Sequence, residues 1–241
     1  MSSHVPQFSI LIPARDEEKN IGSCIEAVMR SAEAAAVSYE IIVILNRCTD
    51  RTEDIAREKG CRIVREDAKN LSKIRNAGAK AARGEILLTV DADSRFSRNL
   101  LSCVQVELET GKSIGGGVLI LPERWSLGIF CSGLLLLPIA FYYRIQAGVF
   151  FLRRTDFEAI GGFDERLLSA EDIDFAIRLR RHGKAQSKHF SLLLRAHIVT
   201  SCRKFDVLGD WYFLKNFRQT LSLLRGQNEA AANQIWYDFK R

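Results

Sequence analysis

One alternation constrains this chain more than any other feature. Runs that are apolar on both faces, "QFSILIP" (7–13), "EIIVIL" (40–45), "RIV" (62–64) and "EILLTV" (85–90), are separated by segments of helical character. A strand with no polar face has to be covered on both sides, which is the condition of a parallel sheet flanked by helices. The intervening segments supply that cover. Residues 20–36 place Ile21, Ile25 and Val28 on one helical face, residues 50–59 form a helix stopped by Gly60, and "LSKIRNAGAKAAR" (71–83) forms another ended by Gly84. Four strand–helix alternations predict a doubly wound α/β sheet, Rossmann-like in plan.

No internal repeat, low-complexity tract or linker divides the 241 residues, so a single domain is expected. Residues 1–205 would form it, with about 7–110 as one half and 111–205 as the other, followed by a helical extension over 206–241. With 27% charged and 47% hydrophobic residues, disordered and fibrous classes are excluded. A net charge of +6 favours anionic partners. Six cysteines (24, 48, 61, 103, 131, 202) show neither CxxC pairs nor ligand-like spacing, so reduced thiols are expected and zinc is not. The first residues, "MSSHVPQFSILIP", lack the layout of a signal peptide, and a cytoplasmic location is expected.

"LLTVDADS" (87–94) sets two carboxylates just past the end of the fourth strand. In open parallel sheets ligands bind beyond the carboxyl ends of the strands. Asp91 and Asp93, two residues apart on extended backbone, point the same way and could share one hard cation. A turn with Asx-type hydrogen bonds is the alternative.

The pair has company: "PARDEEKN" after the first strand, "NRCTDRT" after the second, "SKIRNAG" before the fourth, and later "GVFFLRR" and "GGFDERLLSAEDIDFAIRLRRHG". In this order the motifs resemble those of the family 2 glycosyltransferases, over roughly residues 7–205. The resemblance implies the GT-A fold, a doubly wound mixed sheet flanked by helices in a single domain. It also implies transfer of a sugar, with inversion, from a nucleotide sugar such as a UDP- or GDP-sugar to an acceptor hydroxyl, with Mg²⁺ or Mn²⁺ as cofactor.

Residue by residue, the resemblance assigns Pro13, Ala14, Arg15 and Glu17 to the nucleotide wall, Arg75 and Asp91 to the nucleotide or its phosphates, and Asp91 with Asp93 to the metal. His197 is a further candidate ligand, with a packed strand residue as the alternative. Asp172 becomes the general base, and Glu171 positions base or acceptor. The alternative for these two acids is a capping box from Ser169. Where the family pattern has an acid, glycine and serine, this chain reads Asn46, Arg47, Cys48. An amide at position 46 can donate as well as accept at a base edge, whereas Asp50 suits either a helix cap or a ligand.

Other signals point elsewhere. "GKS" (111–113) and "IGGG" (114–117) lack the context of phosphate or dinucleotide loops. The run 127–143 is uncharged for 17 residues, but a crossing there would part Asp91 and Asp93 from Asp172. It is therefore read as a helix, either buried or facing a membrane. With the basic clusters 178–184 and 203–204 and the aromatic–basic stretch 210–226, it suggests peripheral contact with a membrane carrying a lipid-linked acceptor. No nucleic-acid partner is expected. The alternatives are a sugar-1-phosphate nucleotidyltransferase, for which the first-strand loop lacks glycine, and a non-catalytic phosphate- or membrane-binding module.

Overall fold

A computed structural model describes residues 5–143 and 149–216 of the chain, without the side chains of 136–143 and Phe213. The elements are β1 Phe8–Ala14, α1 Ile21–Ala35, β2 Tyr39–Leu45, α2 Thr52–Glu58, β3 Arg62–Arg65, α3 Leu71–Ala81, β4 Ile86–Thr89 and β5 Ser94–Phe96. They continue with α4 Leu100–Glu109, β6 Ser113–Pro122, α5 Leu127–Tyr143, β7 Phe151–Arg153, α6 Arg154–Ala159, α7 Glu171–Ala185, β8 His189–Thr200, α8 Arg203–Leu208 and α9 Tyr212–Lys215. The part of the expected extension beyond residue 216 lies outside the described residues.

All eight strands form one mixed sheet in the order β3-β2-β1-β4-β7-β6-β8-β5. The first four run parallel, β7 is antiparallel to both neighbours, and β5 is antiparallel to β8. The apolar runs are explained by cover on both faces. Phe8, Ile10, Ile12, Ile41, Val43 and Leu45 pack toward α1 and α4, while Leu11, Ile42 and Ile44 pack toward α3, α6 and α7. Each such fully buried aliphatic side chain contributes roughly 1.5–3 kcal/mol of transfer free energy.

Two expected signals act differently. Gly84 does not stop α3, which ends where Ala82 turns extended. A Cβ on Gly84 would lie 2.7 Å from the backbone of Phe8 and Ser9, so this glycine allows the chain to pass against β1. The "GGG" of residues 115–117 lies inside β6, where a Cβ on Gly116 would meet the Ser191 carbonyl oxygen of β8 at 1.8 Å. All six cysteines are free.

The β1/β4 boundary is where the winding reverses, because β2 and β3 build away from β1 before β4 returns to its other side. The carboxyl ends of β1, β2 and β4 thus deliver residues 13–17, Asn46 and residues 91–93 to one crevice.

Candidate active site

Two arginines organise the acids of this crevice. Arg75, on α3, is 1% exposed, and one Nη donates to Asp172 Oδ1 at 2.6 Å and Glu171 Oε1 at 3.2 Å, while the other lies 3.5 Å from Asp91 Oδ1. Its guanidinium stands 5.1 Å from the centre of the Phe163 ring. Arg203, at the start of α8, donates to both carboxylate oxygens of the buried Glu17, at 2.9 and 3.2 Å, and lies 3.8 Å from Asp93 Oδ2. The Nε atoms of both arginines are buried without a hydrogen-bond partner among the described residues.

The segment that carries Glu171 and Asp172 is held by α3. Asn70 caps that helix by accepting from the Lys73 N–H, and its amide donates to the carbonyls of Glu165 and Leu167. Asn76 accepts from the Phe163 N–H and donates to the Phe163 carbonyl. Phe163 stacks on Phe175 of α7 with centroids 4.1 Å apart. Three acids, Glu171, Asp172 and Asp174, then occupy the first turn of α7, where the helix dipole favours negative charge. The Ser169 capping box does not form: the N-cap is Ala170 in the left-handed region, without a side-chain cap bond.

Burial shapes the electrostatics. Burial, reinforced by the charge of Asp172 and opposed by Arg75, pushes the Glu171 carboxyl up to about 7. Asp93 is pushed up to about 6 by burial and by the charges of Asp91 and Glu17, against Lys204 and Arg203. Asp91, whose side chain is half exposed at the crevice mouth, is raised by desolvation of its packed side and eased by Arg75. For Arg75 burial works against the charge, but Asp172, Asp91 and Glu171 outweigh it, so the guanidinium is held firmly cationic.

The remaining expected residues lie as follows. Pro13 and Ala14 end β1, beside Ile44 and Leu45 of β2, and Arg15 follows. Glu17 lies at the crevice but is engaged by Arg203, and its backbone carbonyl accepts from the N–H groups of Asn20 and Ile21 at the start of α1. The side-chain amide of Asn46 does not point to an open base site. It donates to the carbonyls of Glu66 at 2.6 Å and Ala68 at 2.9 Å, so it ties β2 to the segment after β3. His197 lies in β8, where its backbone exchanges hydrogen bonds with Ser97. Asp91, Asp93 and His197 do not form a cluster: among the described residues, the group of three ligand atoms within 4.8 Å of one another is Asp16, Cys48 and Asp50. Asp50, one residue before the N-cap Arg51, accepts from the N–H and hydroxyl of Thr52 at the start of α2.

Arg203 was legible only as a basic residue. It reaches the crevice because β5, which follows Asp93 directly, pairs with the end of β8 (Ser94 with Thr200), and the Ser201 N–H donates to the Asp93 carbonyl. Arg178, read as part of a basic surface cluster, instead donates to the carbonyls of Ile160 and Gly162 and to Asp174.

Comparison with known proteins agrees with this architecture. Residues 9–123 match the glycosyl transferase family 2 model. The chain is 28% identical over 233 residues to glycosyltransferase AglE of Haloferax volcanii, covering 90% of this chain and 73% of AglE. It is 26% identical over 230 residues to a PGL/p-HBAD biosynthesis glycosyltransferase of Mycobacterium tuberculosis, covering 90% and 85% of the two chains. It spans only 30% of the low-salt glycan biosynthesis hexosyltransferase Agl6 of H. volcanii, at 26% identity over 125 residues, or 49% of this chain. Among solved structures, S. aureus TarS 1-349 in complex with UDP-GlcNAc superposes with a TM-score of 0.64 at 20% identity, over 97% of this chain and 71% of that one. The mannosyltransferase PcManGT of Pyrobaculum calidifontis, in complex with GDP-Man and Mn²⁺, gives 0.63 at 16% identity, over 97% and 74%. With this fold, this motif order and these relatives, the chain has the GT-A fold and is similar to the family 2 glycosyltransferases, whose model its residues 9–123 match.

Proposed function

We propose that the chain moves a sugar, with inversion, from a nucleoside-diphosphate sugar to an acceptor hydroxyl, with Asp172 as the base. The observation that carries this reading is the Arg75 network. It gathers Asp91, from the β4 end of the crevice, and Glu171 with Asp172, from α7, around one buried cation. In the step, the acceptor oxygen attacks the anomeric carbon while the bond to the diphosphate oxygen breaks and its electron pair leaves with the diphosphate. Asp172 takes the hydroxyl proton on the opposite face. Glu171, whose carboxyl is pushed up to about 7 by burial beside Asp172, positions the base or the acceptor.

Asp91 and Asp93 are the residues that would hold Mg²⁺ or Mn²⁺. Their donor set fits: both are hard carboxylates at one mouth, Asp91 beside Arg75 and Asp93 beside Arg203. A divalent ion bound there would neutralise charge developing on the leaving diphosphate. Pro13, Ala14, Arg15 and Glu17 form the wall of the nucleotide site, and Asn46 shapes that wall indirectly by holding the segment after β3. Structural neighbours in complex with UDP-GlcNAc and with GDP-Man support a UDP- or GDP-sugar as donor. Neither the nucleotidyltransferase nor the non-catalytic alternative is favoured by the family match.

The deciding experiment is Asp172→Asn, which keeps shape and removes the basic site. Turnover should fall at least about 10²-fold with donor affinity little changed. Near-normal turnover would reject Asp172 as the base.

A membrane-presented acceptor is supported by a separate observation. Six of the ten large apolar side chains exposed among the described residues lie on α5 and its neighbours: Trp125, Leu127, Phe130, Leu134, Val207 and Trp211. Arg124 binds the patch together through Asp206 and Asp210. Such a surface, rich in tryptophan, suits a bilayer interface. No helix among the described residues is long and apolar enough to cross a membrane. The basic residues 180–184 lie toward the far end of α7, roughly 14–20 Å along the helix from Glu171. Liposome co-sedimentation tests the contact: Leu127→Ser with Phe130→Ser should abolish pelleting, whereas no pelleting by the unaltered protein would leave a soluble acceptor.

A further inference from the structure

We infer that Arg75 is the positioning residue of the base, acting through Asp172 rather than on the donor's phosphates. This rests on the reading of Asp172 as the base and names the group that sets its geometry.

Three observations carry it. First, the guanidinium is enclosed: Arg75 is the largest fully buried side chain of the described residues, so a phosphate would reach it only by displacing its present neighbours. Second, the hydrogen bonds it donates go to the α7 acids, both from one Nη. The 2.6 Å bond to Asp172 is charge-assisted and is shorter than the contacts to Glu171 at 3.2 Å and Asp91 at 3.5 Å. That bond holds one carboxylate oxygen, Oδ1, and so fixes the orientation of the carboxylate that takes the acceptor's proton. Third, the guanidinium is itself oriented by Phe163, whose ring lies 5.1 Å below it and whose backbone is clamped by Asn76, one residue along α3. A rigid chain therefore runs from α3 through Phe163 and Arg75 to the base. Lysine cannot replace it, because an ammonium has neither the planar fork nor the stacking face.

The assignment separates two roles for one arginine. A phosphate ligand contributes to donor affinity. A positioning residue leaves affinity alone and acts on turnover, and its effect vanishes once the group it positions is gone.

The test uses the full chain in three variants, Arg75→Lys, Asp172→Asn and the double variant. For each, calorimetry gives the affinity for UDP and for GDP with Mn²⁺, and turnover is measured on UDP-GlcNAc and GDP-Man with water as the acceptor. Arg75→Lys should lower kcat at least about 30-fold while nucleotide affinity stays within about threefold. In the Asp172→Asn background the same change should cost less than about threefold more. A tenfold loss of nucleotide affinity with kcat unchanged would overturn the inference in favour of a phosphate contact. Full additivity of the two substitutions would overturn it as well. Retention of turnover by Asp172→Asn is a different result, which removes the base reading itself. Should Arg75→Lys fail to fold, Phe163→Leu, which removes the ring under the guanidinium and leaves every charge in place, should lower kcat with affinity unchanged. An unchanged kcat in that variant counts against the inference.

Discussion

Arg203 and Glu17 lie 186 positions apart in the chain, yet the guanidinium of one grips both carboxylate oxygens of the other, at 2.9 and 3.2 Å. Glu17 is 4% exposed. The pair fastens the end of β8 to the exit of β1, and it lays a cation beside Asp93, 3.8 Å away. Residues from both halves of the sheet thus bound the crevice, and charge bookkeeping there has to include a residue far from any nucleotide motif.

Removing one partner of this pair should be costly. Arg203→Ala leaves Glu17 buried without its bidentate partner, and a loss of about 2–4 kcal/mol is expected. Urea denaturation would show it as a lower midpoint at constant slope. An unchanged midpoint would mean that water replaces the guanidinium freely.

Glu171 makes stability depend on pH in a direction unusual for a carboxylate. Its folded-state value of about 7 lies above the ordinary 4.5, so between these limits the folded state binds the additional proton. Stability from this group is therefore full at low pH and is lost as pH rises toward and through 7. Glu171→Gln keeps an oxygen for Arg75 and has no proton to lose. Its stability relative to the unaltered protein should be greater at pH 8 than at pH 5. A difference independent of pH in parallel urea titrations would rule this out.

Asn46→Asp restores the acid of the family pattern and should weaken this chain. A carboxylate there cannot donate to the Glu66 and Ala68 carbonyls, and it faces them with like partial charge. A loss of about 1–3 kcal/mol is expected, read as a lower Tm. A stable, fully folded variant would show that the segment after β3 needs no such tie.

Two adjacent glycines should respond differently to alanine. Gly161 and Gly162 both have positive φ, at 76° and 68°. A Cβ on Gly161 meets nothing within 4 Å, whereas one on Gly162 lies 2.7 Å from Asn76 Oδ1, the atom that receives the Phe163 N–H. Gly161→Ala should cost about 1–2 kcal/mol of backbone strain. Gly162→Ala should cost more, and should also reduce turnover through Phe163 and Arg75. Equal effects on stability and turnover would place no special demand at 162.

Local chemistry determined much of this protein. Apolar runs over 7–13 and 40–45 could become nothing but covered strands, because no face of them tolerates water, and β1 and β2 fall there. The uncharged run 127–143 carries its helix over the very residues expected, and the ordered motifs pointed to the fold and to the family 2 likeness. Those are properties of sequence neighbours and their spacing. What each charged residue faces is not. Asn46 became a backbone tie because the segment after β3 runs beside it. Arg75 turned to the α7 acids because the Asn70 and Asn76 side chains fold residues 163–167 onto α3. Arg203 entered the crevice because β5 pairs with β8. In each case the partner lies between 20 and 186 positions away. A charge or amide takes its meaning from the nearest opposite group in space, and only the closed sheet decides which group that is.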